Sequence, residues 1–146
     1  MLFRSMVEDL VVAKANAVFM EVRHRGGSYY LKSLEPPVED ADHQRGFDAL
    51  AYVIERAHAR GIEVHAWYPV TPLWPFTRAP VDPRHVWHAH GPNAKGGEMW
   101  MTVSSAGRVS TSMDPGHPGA LKYLADRKST RLNSSHIQKS RMPSSA

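Results

Sequence analysis

Hydrophobic positions along the chain fall into two kinds of pattern, and their alternation predicts the order of elements. Val7, Leu10 and Val11, with Lys14 after them, are spaced as on a helix, and Asn16 stands where a C-terminal cap belongs. Residues 17–22, AVFMEV, form a short apolar run of β-formers and read as a buried strand. A polar stretch rich in Gly and Pro follows, from Arg23 to about Gly46, and reads as a loop. Phe47, Leu50, Ala51, Ile54, Ala57 and His58 then recur at three and four residues. They make the clearest amphipathic helix in the chain, with Gly61 placed to end it.

Residues 62–68, IEVHAWY, read as a second strand. Helix, strand, loop, helix, strand is the order of a parallel α/β protein whose helices cover the sheet. The stretch from Pro69 to Gly97 is irregular and holds six prolines. Residues 99–103 and 108–113 are expected to pair as a hairpin around Ser104–Gly107. Residues 118–125 start another helix, with Pro118 at a permitted early position.

Composition narrows the class. A chain of 146 residues, 42% hydrophobic and without Cys, has the profile of one soluble domain or part of one. No run approaches the ~20 apolar residues of a membrane span, and no secretory signal is visible at the start. The missing Cys removes disulfide and thiolate chemistry without fixing a compartment.

The excess of basic residues looks like a nucleic-acid signal until the ends are considered as nucleotides. Residues 126–136, DRKSTRLNSSH, are the translation of a common short-read library adapter. Residues 137–139 fit an index, and SRMPSSA at 140–146 fits the adapter's continuation. MLFRS at residues 1–5 fits the complementary adapter end, read from a GTG start. The chain therefore divides into residues 1–5 and 126–146, expected to be adapter-derived with the tail disordered, and residues 6–125. Six of the 18 basic residues and one of the 14 acidic residues fall in those ends, leaving 12 and 13. With that near-balance, charge is no argument for nucleic acid or an anionic membrane as partner.

Three motifs carry a family resemblance. They are NAVFMEVRHRGGSYYLKSLEP at 16–36, FDALAYVIERAHARGIEVHAW at 47–67 and MDPGHP at 113–118. In type, order and spacing they resemble the family-10-like glycoside hydrolases, over nearly all of residues 6–125. Three positions depart from the family pattern. Glu21 stands where Gln is usual, His24 where Pro is common, and Ala49 where the helix often begins with Pro.

The resemblance implies a (β/α)8 TIM barrel. Such a barrel takes about 250 residues, so residues 6–125 amount to roughly its first half without the first strand. It also implies a hydrolase acting on polysaccharide glycosidic bonds by carboxylate acid/base catalysis. No cofactor is expected, and the partner is a polysaccharide or oligosaccharide. Proteins of this family are commonly exported, to the periplasm, cell envelope or exterior. The fragment itself is expected to be inactive.

In barrels of this kind, reactive groups sit at the carboxyl ends of the strands. That position singles out Glu21 and Arg23 after the first strand, and His65 and Trp67 at the second. Asp114 and His117 lie in the loop before the last helix. Glu21 and Asp114 are the candidate catalytic acids; Arg23, His65, Trp67 and His117 are candidate substrate-binding residues.

Each has a structural alternative. Glu21 with Arg23 is equally an ion pair at the sheet rim, His65 a satisfied core histidine, Trp67 ordinary packing and Asp114 a turn residue. The family's acidic strand-end motif is expected beyond Ala125, so a full acid/base pair is not assigned. His85, His88 and His90, with His24, His65 and His117, invite a metal. Their spacing matches no ordered site, and no metal is expected. The competing functional reading is a non-catalytic carbohydrate-binding barrel. Metal-assisted deacylation is the third and requires the histidines to converge.

Overall fold

The computed structural model describes residues 2–76 and 78–132. Its elements in chain order are α1 (Leu2–Val12), β1 (Ala17–Glu21), β2 (Arg23–His24), β3 (Gly27–Ser28), α2 (Ala49–His58), β4 (Glu63–Trp67), α3 (Trp87–His90), β5 (Met101–Val103), β6 (Val109–Met113) and α4 (Pro118–Leu132). β1 and β4 pair in parallel, with Ala17 opposite Glu63 and Glu21 opposite Trp67. α2 lies between them in sequence and packs on β4 and α1, which makes a βαβ unit.

The period of two along β1 and β4 separates their faces. Met20 turns to the helices and is buried with Ala49 and Val53, and Met6, Leu50 and Val64 pack around them. The other face is uncovered. Phe19 is 74% exposed, Trp67 is 58% exposed, and the Phe19 ring stacks on His65 with centroids 5.1 Å apart. The expectation of a fully buried first strand is corrected accordingly, because helices cover only one side. The architecture is mixed α/β with small sheets, and no barrel closes among the described residues.

A second cluster gathers Leu73, Trp74, Val86, Met101, Met113, Ala120 and Leu124. It joins the segment after β4 to α3, α4 and the β5–β6 hairpin. That hairpin forms at the expected place, with Val103 opposite Val109. Two elements are absent from the sequence expectation. The segment from Arg23 carries the β2–β3 hairpin, and the irregular stretch after Pro69 contains the single turn of α3.

Local chemistry explains where the helices begin and end. Asp48 caps α2 by accepting from the Ala51 N–H at 2.9 Å. Gly61, at φ 71°, closes α2 as the Ile62 N–H returns to the Ala57 carbonyl at 3.0 Å. α1 ends in the same way, but not at the expected Asn16. The Ala15 N–H bonds to the Leu10 carbonyl at 2.9 Å, and Lys14 takes the left-handed position at φ 55°. Since that conformation costs a residue with a Cβ about 1–2 kcal/mol, Lys14→Gly is expected to stabilise the chain by about 0.5–1 kcal/mol. A rise in the urea midpoint at unchanged slope is the check.

α4 runs on through Leu132, because residues 119–132 contain no proline to stop it. Residues 133–146 of the expected tail lie outside the described residues. No helix among the described residues is long and apolar enough to cross a membrane.

Candidate functional site

The carboxyl ends of β1 and β4 bring two of the predicted residues together. Glu21 and Trp67 are register partners on the uncovered face, so a carboxylate stands beside an exposed indole. His65 lies one layer below, stacked on Phe19, with its Nε2 3.0 Å from Glu63 Oε2. Glu21 is not paired with Arg23. Its Oε1 is 2.8 Å from His24 Nδ1, and both side chains are about a quarter exposed.

Arg23 has a different place from a rim residue open to substrate. It is completely buried, and its Nε donates to both oxygens of Glu35 at 3.0 Å. Its Nη1 donates to the carbonyls of Pro69 and Pro72 at 2.8 Å and of Val70 at 3.2 Å. The Tyr123 hydroxyl donates to Glu35 Oε1 at 3.0 Å, which extends the network to α4. The guanidinium therefore clamps the segment after β4 onto the end of β1, and only Nη2 is left buried without a partner. Glu35 was not among the predicted site residues. Its signal was an acid within the apolar run LEPPV, where a carboxylate must find a buried cation.

Asp114 and His117 make their contacts elsewhere. Asp114 Oδ1 accepts from the Gly116 N–H at 2.8 Å, closing a turn. His117 caps α4, with Nδ1 accepting from the Gly119 N–H at 3.1 Å and Nε2 donating to the Gly97 carbonyl at 2.9 Å.

The histidines after β4 are likewise held singly. His85 Nε2 meets the Arg25 carbonyl at 2.8 Å, His88 Nε2 the Pro80 carbonyl at 3.0 Å, and His90 Nδ1 the Glu98 carbonyl at 2.8 Å. Burial pushes the His85 pKa down, so its ring is held neutral. Among the described residues no three His, Asp or Glu side chains are grouped to hold a metal ion.

The β2–β3 hairpin frames the side of this site. Its turn, Arg25–Gly26, has positive φ at both residues, 52° and 77°, as a type I′ turn requires. Beneath it, His24, Glu39, Asp40, Trp74, Phe76 and His85 line a narrow cleft. The Arg25 guanidinium lies 4.8 Å from the centroid of the Phe76 ring. Tyr29 donates its hydroxyl to Asp40 in a short bond, and burial first, then the nearby carboxylate, pushes the phenol pKa far up.

The family described as glycosyl hydrolase-like 10 matches residues 3–128. The chain belongs to it. No curated protein matches. Glu21 and His24, the two neighbouring positions expected above to depart from the family pattern, are in contact. The carboxylate at Glu21 and the imidazole at His24 are each other's hydrogen-bond partner. Ala49, the third position expected to depart, has a local role. Its N–H donates to the Tyr29 carbonyl at 3.0 Å, a bond that proline has no hydrogen to make.

Proposed function

We propose that the chain is part of a glycoside hydrolase whose saccharide-binding face lies at the carboxyl ends of β1 and β4. The observation that carries this reading is the pairing of Glu21 with Trp67 on the uncovered sheet face. Indole offers a broad apolar platform for the C–H face of a sugar ring, and the adjacent carboxylate accepts hydrogen bonds from its hydroxyls. Membership of the glycosyl hydrolase-like 10 family supports carbohydrate as the substrate class.

In this reading residues 6–125 are roughly the first half of a (β/α)8 barrel without its first strand. The parallel βαβ unit and the exposed residues that would line a barrel interior support it. Residues 1–5 and 126–146 are assigned to translated adapter on their two matching strings, and resequencing across both junctions tests that assignment.

Glu21 is the better of the two candidate acids, because it stands beside Trp67; each acid already has one local partner, His24 for Glu21 and the Gly116 N–H for Asp114. His65 serves beneath Trp67, and Arg23 acts by holding the loop rather than by touching sugar. A second reading is a non-catalytic carbohydrate-binding barrel, favoured by the bond that ties Asp114 to its own turn. Trp67→Ala is expected to weaken binding of a neutral tetrasaccharide roughly tenfold, equivalent to about 1.4 kcal/mol. Calorimetric titration checks it, and unchanged affinity would remove Trp67 from the site.

A further inference from the structure

His85 is buried, and backbone groups occupy both of its ring nitrogens. A carbonyl can only accept, so Nε2 carries the hydrogen that meets the Arg25 carbonyl at 2.8 Å. An N–H can only donate, so Nδ1 is bare and accepts from the Trp87 N–H at 3.2 Å. The two contacts select one neutral tautomer. They also tie the β2–β3 turn to α3, since Arg25 lies in the turn and Trp87 is the first residue of that helix.

A second proton treats the two contacts differently. The Nε2 bond survives, and the Arg25 carbonyl gains a charged donor. On Nδ1 the new hydrogen points at the Trp87 N–H, so two donors face each other and that bond is lost. The ring has little room to turn away. Trp74 stands edge-on to it with centroids 5.2 Å apart, and a Cβ on Gly26 would lie 2.5 Å from Nε2. A helix of four residues is far too short to hold itself without such contacts.

We propose that His85 is an acid-sensitive latch: uptake of one proton at Nδ1 frees the first turn of α3 while the β2–β3 turn stays bonded to the ring. α3 sets Val86 and Trp87 into the second apolar cluster, so its release loosens that cluster beside the cleft that His85 lines. The latch is independent of what the neighbouring sheet face binds.

The surroundings set its direction. Burial, the largest influence, disfavours the charged ring and outweighs the Arg25 carbonyl, Glu35 and Glu39, which favour it; Arg23 opposes it too. His24 and Asp40 line the same cleft. On the ring's own segment Asp82 and Arg84 hold each other, and His88 engages the Pro80 carbonyl. The closed form thus binds its proton more weakly than the open form. Closure is whole above the ordinary imidazole value of about 6.5 and is lost progressively as pH falls below it, until the closed form is protonated as well.

The test is amide hydrogen exchange on the 146-residue chain, followed by NMR between about pH 8 and pH 4 and corrected for the intrinsic rate at each pH. Trp87 protection is expected to fall below about pH 6.5 by up to about tenfold per pH unit, the limit for one proton. The Ser28 N–H, bonded to the Pro36 carbonyl at 2.9 Å beside the hairpin, is expected to keep its protection. His85→Gln has no proton to take up and is expected to make Trp87 protection independent of pH. If that variant does not fold, the ring-nitrogen shifts of His85 in the unaltered chain serve instead. Proton uptake at Nδ1 is expected at the pH where Trp87 protection stops falling. A ring that takes its proton with Trp87 protection unmoved overturns the latch. So does a fall that persists in His85→Gln or is shared by Ser28, which would mark a wider unfolding.

Discussion

Arg23→Ala is expected to destabilise the chain by roughly 3–5 kcal/mol, the usual cost of breaking a buried ion pair from one side. The variant leaves Glu35 enclosed with no cation, and only the Tyr123 hydroxyl and local contacts remain to solvate it. It also frees the three carbonyls of Pro69, Val70 and Pro72 that Nη1 now gathers. Lysine is not expected to rescue the loss, because a single ammonium lacks the planar fork that reaches carboxylate and carbonyls at once. The diagnostic variant removes both charges. Arg23→Met with Glu35→Leu is expected to recover much of the loss, since an apolar pair of similar volume has no desolvated ion to leave unmatched. Thermal or urea unfolding of the three variants is the measurement, and a single-variant loss under about 1 kcal/mol would mean that water replaces Arg23 at Glu35.

Gly26→Ala is the second large effect, with an expected loss of about 2–5 kcal/mol. Its φ of 77° already penalises a Cβ by about 1–2 kcal/mol. The added carbon would also stand 2.5 Å from His85 Nε2 and 2.8 Å from its Cε1. His85 has little room to give way, because it is buried and hydrogen-bonded through Nε2 to Arg25 and through Nδ1 to the Trp87 N–H. Overpacking of that kind costs a further ~1–3 kcal/mol. Gly61→Ala is the control, for Gly61 has a φ of 71° but nothing within 4 Å of the added carbon. Its loss is expected to stay near 1 kcal/mol, all of it conformational. If the two variants unfold at the same midpoint, the contact with His85 carries no energy.

The contrast between those glycines also explains what could be read from the sequence. Gly61 ends a periodic helix, and α2, β4, β1 and the β5–β6 hairpin follow from local patterns of the same kind. The β2–β3 turn did not, because Arg25 holds a left-handed position where Asn, Asp or Gly is the usual signal. It is held there by contacts remote in sequence, His85 on its carbonyl and Phe76 under its guanidinium.

The site divides along the same line. That Glu21 and Trp67 stand at neighbouring strand ends was legible because strand alternation and strand ends are local properties. The true partner of Arg23 was not, since Glu35 lies in an irregular segment and its other contact comes from Tyr123. Likewise, nothing local to Asp114 or His117 separates a helix cap from a ligand contact. That distinction came from Gly116, Gly97 and Gly119.

The Arg23 clamp has a consequence for the order in which the chain assembles. Its carbonyl partners lie 46 to 49 residues downstream, and the Tyr123 hydroxyl is 88 residues from Glu35. Contacts of such separation form late, because long loops must close before they are rewarded. During synthesis β1 emerges with Phe19 bare and without β4, its partner among the described strands, until Trp67 has followed. Over that interval the nascent chain is a vulnerable species, and a chaperone that shelters apolar strands would act on residues 17–22 first.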